Sequence, residues 1–328
     1  MSAQLPYRLN TYHLTRQIGE GATGKVYYAL DTFSGREVAV KLIDQKVLTD
    51  SEFNEEHRKQ FLNEASLAGR LTHPHIAAIL EASVTEDSGY VVMEYVPEGN
   101  LSHYTFPDAL LPVGNVLQII FKCCGALDYA FRYGIIHRDI KPANILVVSG
   151  TNVKIADFGS AVFYQAQVTQ KVTVGTPSYM SPEQFKGRRL THLSDMYSLG
   201  VVAYELLTGV LPFQAMDMLK LFNAITGEDA TPPSIHRPEL PVELDRVILR
   251  MIAKKPDDRY SNWADLALDI AGIGRFSKFQ QGISDSDKFN MLRMSDTLRE
   301  FSDPEIWELV RASVWAKLPA RSITLRED

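Results

Sequence analysis

Cysteine is nearly absent from the 328-residue chain: there are two, Cys123 and Cys124, adjacent in an apolar stretch. A disulfide framework or a cysteine-rich zinc site is therefore excluded, and two buried helix residues in a reducing, cytoplasmic setting are expected. Basic charge is not in excess either. The 34 Lys and Arg against 40 Asp and Glu leave a net charge of -6, which argues against a broad nucleic-acid-binding face. No apolar run reaches the roughly 18 residues of a membrane span, and residues 1–10 lack the apolar core of a secretory leader. No internal repeat is present. What remains is ordinary globular material, 45% hydrophobic and 23% charged, with a length that predicts roughly two domains and a core needing no covalent staple.

The texture changes along the chain. From residue 12 to about 89 it is strand-like, with Val26, Tyr28 and Leu30 alternating and a further strand at 38–43, interrupted by one helical segment at about 53–71. Residues 90–96 form a short apolar strand, and Pro97-Glu98-Gly99-Asn100 follows as a turn, where the boundary between a small and a large lobe is expected. Beyond it, apolar residues recur at helical spacing over 116–133 (Val116, Ile119, Ile120, Cys123, Cys124, Leu127, Phe131), then over 193–208 and 242–253. Gly272 and Gly274 are expected to end this region. Residues 280–287 read as a polar linker to a tail of two short helices, one carrying Met291, Met294, Leu298 and Phe301, the other opened by the capping sequence Ser302-Asp303-Pro304-Glu305.

The most informative string is His137-Arg138-Asp139-Ile140-Lys141-Pro142-Ala143-Asn144, with Asp157-Phe158-Gly159 starting thirteen residues after Asn144. Asp139 can orient a hydroxyl and accept its proton, Lys141 can neutralise a transferring phosphoryl group, and Asn144 with Asp157 can offer oxygens to Mg²⁺, with Mn²⁺ as the alternative. An H-R-D triplet alone is usually just a turn; the whole string followed at this spacing by D-F-G is specific.

Near the N-terminus, Gly19-Glu20-Gly21-Ala22-Thr23-Gly24-Lys25-Val26 carries Gly19, Gly21 and Gly24 in a pattern that permits tight backbone approach to phosphate oxygens. In dinucleotide folds such a loop opens a helix; here the chain continues as a strand, so a hairpin is expected. Lys41 closes Val38-Ala39-Val40-Lys41, and the period of two puts Ala39 and Lys41 on one face. Ala39 can then pack on adenine while Lys41 reaches phosphates. A strand lysine is ordinarily a solvated charge, but the neighbouring glycine loop reverses that. Lys41 needs an anionic partner, and Glu64 on the small-lobe helix is the candidate, while Glu52, Glu55 and Glu56 are read as solvated.

With these motifs in place, residues 12–270 resemble the eukaryotic-like Ser/Thr protein kinases of bacteria, a superfamily whose phosphoryl-transfer chemistry is well described in general terms. The resemblance implies an α+β bilobal kinase fold: a small antiparallel-sheet lobe (12–96) with one major helix, a larger mainly helical lobe (97–272), a short extension at 1–11 and a helical tail at 273–328. It implies that Gly19, Gly21 and Gly24 cover the ATP phosphates, Lys41 holds the α and β phosphates and pairs with Glu64, Asp139 is the catalytic base, Lys141 stabilises the transferred group, and Asn144 and Asp157 hold the metal. Met93 resembles the residue gating the adenine pocket, the backbones of Glu94 and Val96 its hinge, and Val26, Ala39 and Leu146 its walls. Glu183 is implied to pair with Arg259, and Asp195 to brace the catalytic loop. Serine in Ser181-Pro182-Glu183, where the family commonly has alanine, is expected to be harmless. Lys141 together with Thr176 favours Ser/Thr over Tyr as acceptor in protein substrates.

In this family the arginine before the base commonly meets a phosphate on the activation segment, which points to Arg138 and to Thr169 or Thr173 as autophosphorylation sites, with the self-association this entails. Lys171 is the only charged residue between 160 and 174. The alternatives are a pseudokinase scaffold or ATP-binding signalling module, a class that typically lacks one of Lys41, Asp139 or Asp157, and a kinase-fold enzyme acting on a small molecule, which generally lacks an activation segment like that at 175–183. Residues 301–328 resemble the opening of a cyclic-nucleotide-binding domain, though Arg321 stands where that family usually has glycine and no phosphate cassette follows; a plain helical extension is the other reading.

Overall fold

The computed structural model describes residues 5–21, 24–48, 55–85, 88–158, 177–276, 285–293, 298 and 301–312. The chain divides into two compact units, Met1–Phe276 and Ser277–Asp328.

The first unit begins with a six-stranded antiparallel sheet in the order β1-β2-β3-β4-β6-β5. Its strands are β1 Tyr7–Leu9, β2 Tyr12–Gly21, β3 Gly24–Asp31, β4 Glu37–Ile43, β5 Ile79–Val84 and β6 Gly89–Glu94. Between β4 and β5 lie a single turn, α1 (Gln45–Leu48), and the helix α2 (Glu55–Ala68), which ends three residues before the expected 71. Alternation sorts the sheet's side chains onto two faces. Ala39, Ile43 and Met93 pack with Phe61 of α2, while Leu14, Tyr27, Val40 and Val92 make the opposite core. Strand β6 stops at Glu94, two residues before the expected end, where the chain turns into the interlobe segment.

The rest of this unit is mainly helical: α3 Val113–Arg132, α4 Pro182–Phe185, α5 His192–Thr208, α6 Met218–Gly227, α7 Pro233–His236, α8 Val242–Met251 and α9 Trp263–Phe276, with one hairpin, β7 Ile145–Ser149 and β8 Asn152–Ile155. The α3 periodicity read from sequence corresponds to its buried face at Val116, Ile119, Ile120, Cys123, Cys124 and Leu127, but not at Phe131, which is exposed near the helix's C-terminal end; each large apolar side chain so buried stabilises by roughly 1.5–3 kcal/mol before entropy is counted. Helix α5 is buried on nearly every side, as a helix apolar all round must be. It starts at a Thr191–Ser194 capping box and stops at left-handed Gly209. Gly200 lets it approach α8 closely: a Cβ there would lie 2.7 Å from the side chains of Met251 and Ile252. Helix α9 runs through Gly272 and Gly274 to Phe276, past the expected stop, because packing of Leu266, Ile270 and Ile273 into the core outweighs glycine's cost of about 1 kcal/mol.

Two sets of backbone hydrogen bonds lie along the junction of the lobes. The Val147 amide donates to Gly99 O at 2.9 Å beside the interlobe turn. Separately, the segment ahead of β5 is bonded to β8: Ala77 N to Ile155 O and Ile155 N to His75 O, each 2.9 Å.

In the second unit, α10 is Asp285–Arg293 and α11 is Asp303–Ala312. The first falls partly within the expected linker at 280–287; Leu298 and Phe301 are off it, and Met294 lies outside the described residues. The second opens where the capping sequence predicts, with the Ser302 amide donating to Glu305 at 2.7 Å. Phe289 and Trp307 stack across the pair, 4.7 Å between ring centroids. The stretch proposed to resemble a cyclic-nucleotide-binding domain, including Arg321, lies mostly outside the described residues.

Candidate active site

The catalytic string forms a loop fixed from below by Asp195 near the start of α5. Its buried carboxylate accepts the amides of His137 at 2.8 Å and Arg138 at 2.7 Å. Burial raises the Asp195 pKa, against the opposing pull of His137 and those two N–H bonds; the bonds are made to the ionised form. Held this way, Arg138 adopts φ +68°, a left-handed conformation that residues other than Gly and Asn seldom take. His137 is itself buried, with Nε2 2.9 Å from Ala156 O and its ring edge-on to Phe158.

Asp139 emerges from this support. Its Oδ2 accepts from Lys141 Nζ at 2.8 Å and Asn144 Nδ2 at 3.0 Å, and its backbone oxygen accepts from the same Asn144 amide at 2.8 Å. Asn144 closes a 3-10 turn, Pro142–Asn144, and its carbonyl accepts Ala156 N at 2.8 Å. That bond ties the loop to the segment carrying Asp157, also left-handed at φ +69°. The structure thus brings Asp139, Lys141, Asn144 and Asp157 together. With their hard oxygen atoms Asn144 and Asp157 fit a divalent cation of the Mg²⁺ class.

The small lobe supplies the other half. Lys41 is buried and its Nζ lies 2.7 Å from both Asp157 oxygens, a contact spanning 116 residues that local pattern could not disclose. Glu64 is on α2, but its side chain lies outside the described residues. Strand pairing sets Val26 opposite Lys41 and Ala39 opposite Met93. Behind Met93 a small cavity is lined by Lys41, Phe61, Val91, Asp157 and Phe158. Val96 is buried and Leu146, on β7, half-buried, bridging to Asn100. Gly21 and Gly24 are opposed at the β2–β3 hairpin end, in line with the hairpin reading. A Cβ on Gly24, at φ +154°, would fall 1.9 Å from Leu42 O, whereas one on Gly21 would meet nothing within 4 Å. A strand edge without side chains suits close approach of phosphate oxygens.

Two partners were not legible in the sequence. Lys154 of β8 grips Glu94, its Nζ 2.6 and 2.7 Å from the two carboxylate oxygens; a lysine alternating along a strand carried no signal of this. Gln184, next to Glu183, donates from Nε2 to Arg138 O at 2.8 Å. Glu183 and Arg259 form the expected pair, bidentate at 2.7 and 2.9 Å and buried. Thr169, Thr173 and Thr176 lie outside the described residues.

The protein kinase domain family matches residues 12–269. Among curated proteins, the chain is 34% identical over 318 residues to the serine/threonine-protein kinase PknB of Mycobacterium leprae, covering 94% of this chain and 50% of that protein. It is 36% identical over 276 residues to the probable serine/threonine-protein kinase PknB of Corynebacterium glutamicum, covering 80% and 42% respectively. Among solved structures, Rad53 1–466 in complex with AMP-PNP superposes with a TM-score of 0.66 at 26% identity, covering 78% of this chain and 64% of that one. The chain spans about half the length of the curated relatives it matches.

Proposed function

The chain belongs to the protein kinase family, and from that premise we propose that it transfers the γ-phosphoryl group of ATP to serine and threonine hydroxyls of proteins, its own included. The observation that carries this reading is the Asp139 carboxylate, held by Lys141 and Asn144 in a loop that is itself bonded to the Asp157 segment. Asp139 orients the acceptor hydroxyl and takes its proton as the oxygen bonds to phosphorus. Lys141 offsets the charge of the group in transfer. Lys41 and the glycine hairpin position the phosphates; Val26, Ala39 and Leu146 enclose the base, gated by Met93, with the backbones of Glu94 and Val96 as its hinge. Asn144 and Asp157 would hold Mg²⁺, which would supply neutralisation of the phosphate charge. Site chemistry of this kind works by positioning and electrostatics, so each residue's geometry matters more than its binding energy. With Lys41, Asp139 and Asp157 all filled, a catalytically dead scaffold finds no support.

The proposed domain plan is a kinase domain at 12–272 and a tail at 273–328. A reducing cytoplasmic setting is proposed with it, in keeping with two cysteines that are free and buried. No helix among the described residues is long and apolar enough to cross a membrane.

Incubation with MgATP and a generic basic protein tests the reading. Phosphate is expected on Ser and Thr of both proteins, with Thr169 or Thr173 modified in this chain by peptide mapping. Transfer to tyrosine alone, or none, would overturn it. Gly24→Ala should raise KM for ATP by roughly five- to a hundredfold, because the hairpin must move away from Leu42 or hold a backbone strain of about 1–3 kcal/mol. An unchanged KM in steady-state assays would remove Gly24 from the phosphate loop.

A further inference from the structure

Gln184 does two jobs with the two ends of one amide. Its Oε1 accepts from Ser181 N at 2.9 Å and Ser181 Oγ at 3.1 Å, and its own N–H returns to Ser181 Oγ at 3.4 Å. This is the capping box that starts α4. A cap of this kind needs only an acceptor at the third helical position, and glutamate serves as well as glutamine. The amide's other end is therefore not explained by the cap. Nε2 donates across 46 positions of chain to Arg138 O at 2.8 Å. The orientation is not interchangeable: flipped, the amide would set NH2 against the Ser181 N–H and oxygen against the Arg138 carbonyl.

The bond falls on the peptide that leads into Asp139. Arg138 N is held by Asp195 at 2.7 Å, Asp139 N by His137 Nδ1 at 3.2 Å, and Arg138 O by Gln184. All three backbone polar groups around this link are thus pinned, in a residue at φ +68°, a conformation that persists only where its surroundings over-determine it. Asp195 and His137 belong to the large-lobe core. Gln184 alone of the three lies on α4, and its neighbour Glu183 is clamped by Arg259.

We propose that Gln184 is a positioning residue for phosphate transfer, fixing the Arg138–Asp139 peptide and so the aim of the Asp139 carboxylate, and that it couples seating of the α4 segment to the catalytic loop. The proposal rests on Asp139 being the base. It also gives Ser181 a purpose: the serine in place of the family's usual alanine, expected to be harmless, is a fully buried cap that holds Gln184 in register.

Gln184→Glu separates the two jobs, since the carboxylate still accepts from Ser181 but cannot donate to Arg138 O. Its thermal midpoint should fall modestly, from the lost bond and the carboxylate facing the Arg138 carbonyl, its KM for ATP should hold, and its kcat, read well below that midpoint, should fall by about ten- to a hundredfold, the scale of a misaimed catalytic group. Gln184→Lys should show the reverse, with a lowered midpoint from the lost cap and a kcat nearer wild type because a donor remains. A Gln184→Glu enzyme with kcat within about twofold of wild type overturns the proposal. So does a loss of kcat in both variants that merely tracks the loss of thermal midpoint. Wild type and Asp139→Asn run alongside: equal activity in these two defeats the assignment of Asp139 itself, whereas normal controls with an unaffected Gln184→Glu defeat only the role of Gln184.

Discussion

Asp139→Asn is expected to lose phosphate transfer by about a hundred- to ten-thousandfold, the range a positioned general base supplies, while its thermal unfolding stays close to wild type. The substitution is nearly isosteric, and Asp139 Oδ2 is a hydrogen-bond acceptor for Lys141 and Asn144 that an amide oxygen can partly replace. What is removed is the capacity to take a proton and the negative charge that holds the Lys141 ammonium at 2.8 Å. The effect should therefore appear in kcat, with KM for ATP little changed, because Lys41 and the glycine hairpin are untouched. Single-turnover measurement with saturating MgATP isolates the chemical step. A rate equal to wild type there would mean that another group accepts the proton.

Arg259→Met is expected to carry the largest stability cost. The guanidinium has a side-chain exposure of 0% and Glu183 of 6%, and Arg259 also donates to Leu193 O at 2.7 Å and Ala253 O at 2.9 Å. Removing it leaves a carboxylate and two carbonyls buried without their cation, at a cost of about 3–5 kcal/mol, or a fall in Tm on the order of 10 °C for a unit of this size. Replacing both partners by apolar residues should cost less than replacing Arg259 alone, because an uncompensated charge outweighs a lost attraction. Equal losses in the single and double variants, read by denaturant titration, would contradict this.

The same pair has a definite pH signature. Burial by itself raises the Glu183 pKa, but the bonds and charge of Arg259 win, and the net value is lowered from 4.5. A folded-state pKa below the unfolded one contributes stability that is complete above about 4.5 and is lost as pH falls through the depressed value. In Arg259→Met the burial acts without its counterweight and the Glu183 pKa rises. The sign then reverses: protonated Glu183 is the better-buried form, so the variant's deficit should widen as pH climbs through the raised value towards neutrality.

The sequence disclosed what repeats or clusters along the chain. The helical period at Val116, Ile119, Ile120, Cys123 and Leu127 maps onto a buried face, and the alternation at Ala39 and Lys41 onto one side of a strand that meets α2. The residues of the catalytic string gather in one loop because a single 3-10 turn folds Asn144 back onto Asp139. Contacts between distant segments were not legible. Lys41 with Asp157, Lys154 with Glu94 and Gln184 with Arg138 depend on which strand or loop the fold sets alongside, and no spacing encodes that. Element ends also resisted reading: α9 overruns Gly272 and Gly274 because tertiary packing of its apolar face outweighs local propensity.

The double connection between the lobes has a mechanical meaning. A cleft joined only by the interlobe turn near Gly99 would behave as a ball joint, free to open, twist and roll. Here residues 75–77 are laced to β8 by backbone bonds, a second fixed point on the same rim. Two points define an axis. Closure of the sheet over the Asp139 loop is expected to turn about the line through these bonds, restrained further by the Lys41–Asp157 and Lys154–Glu94 pairs.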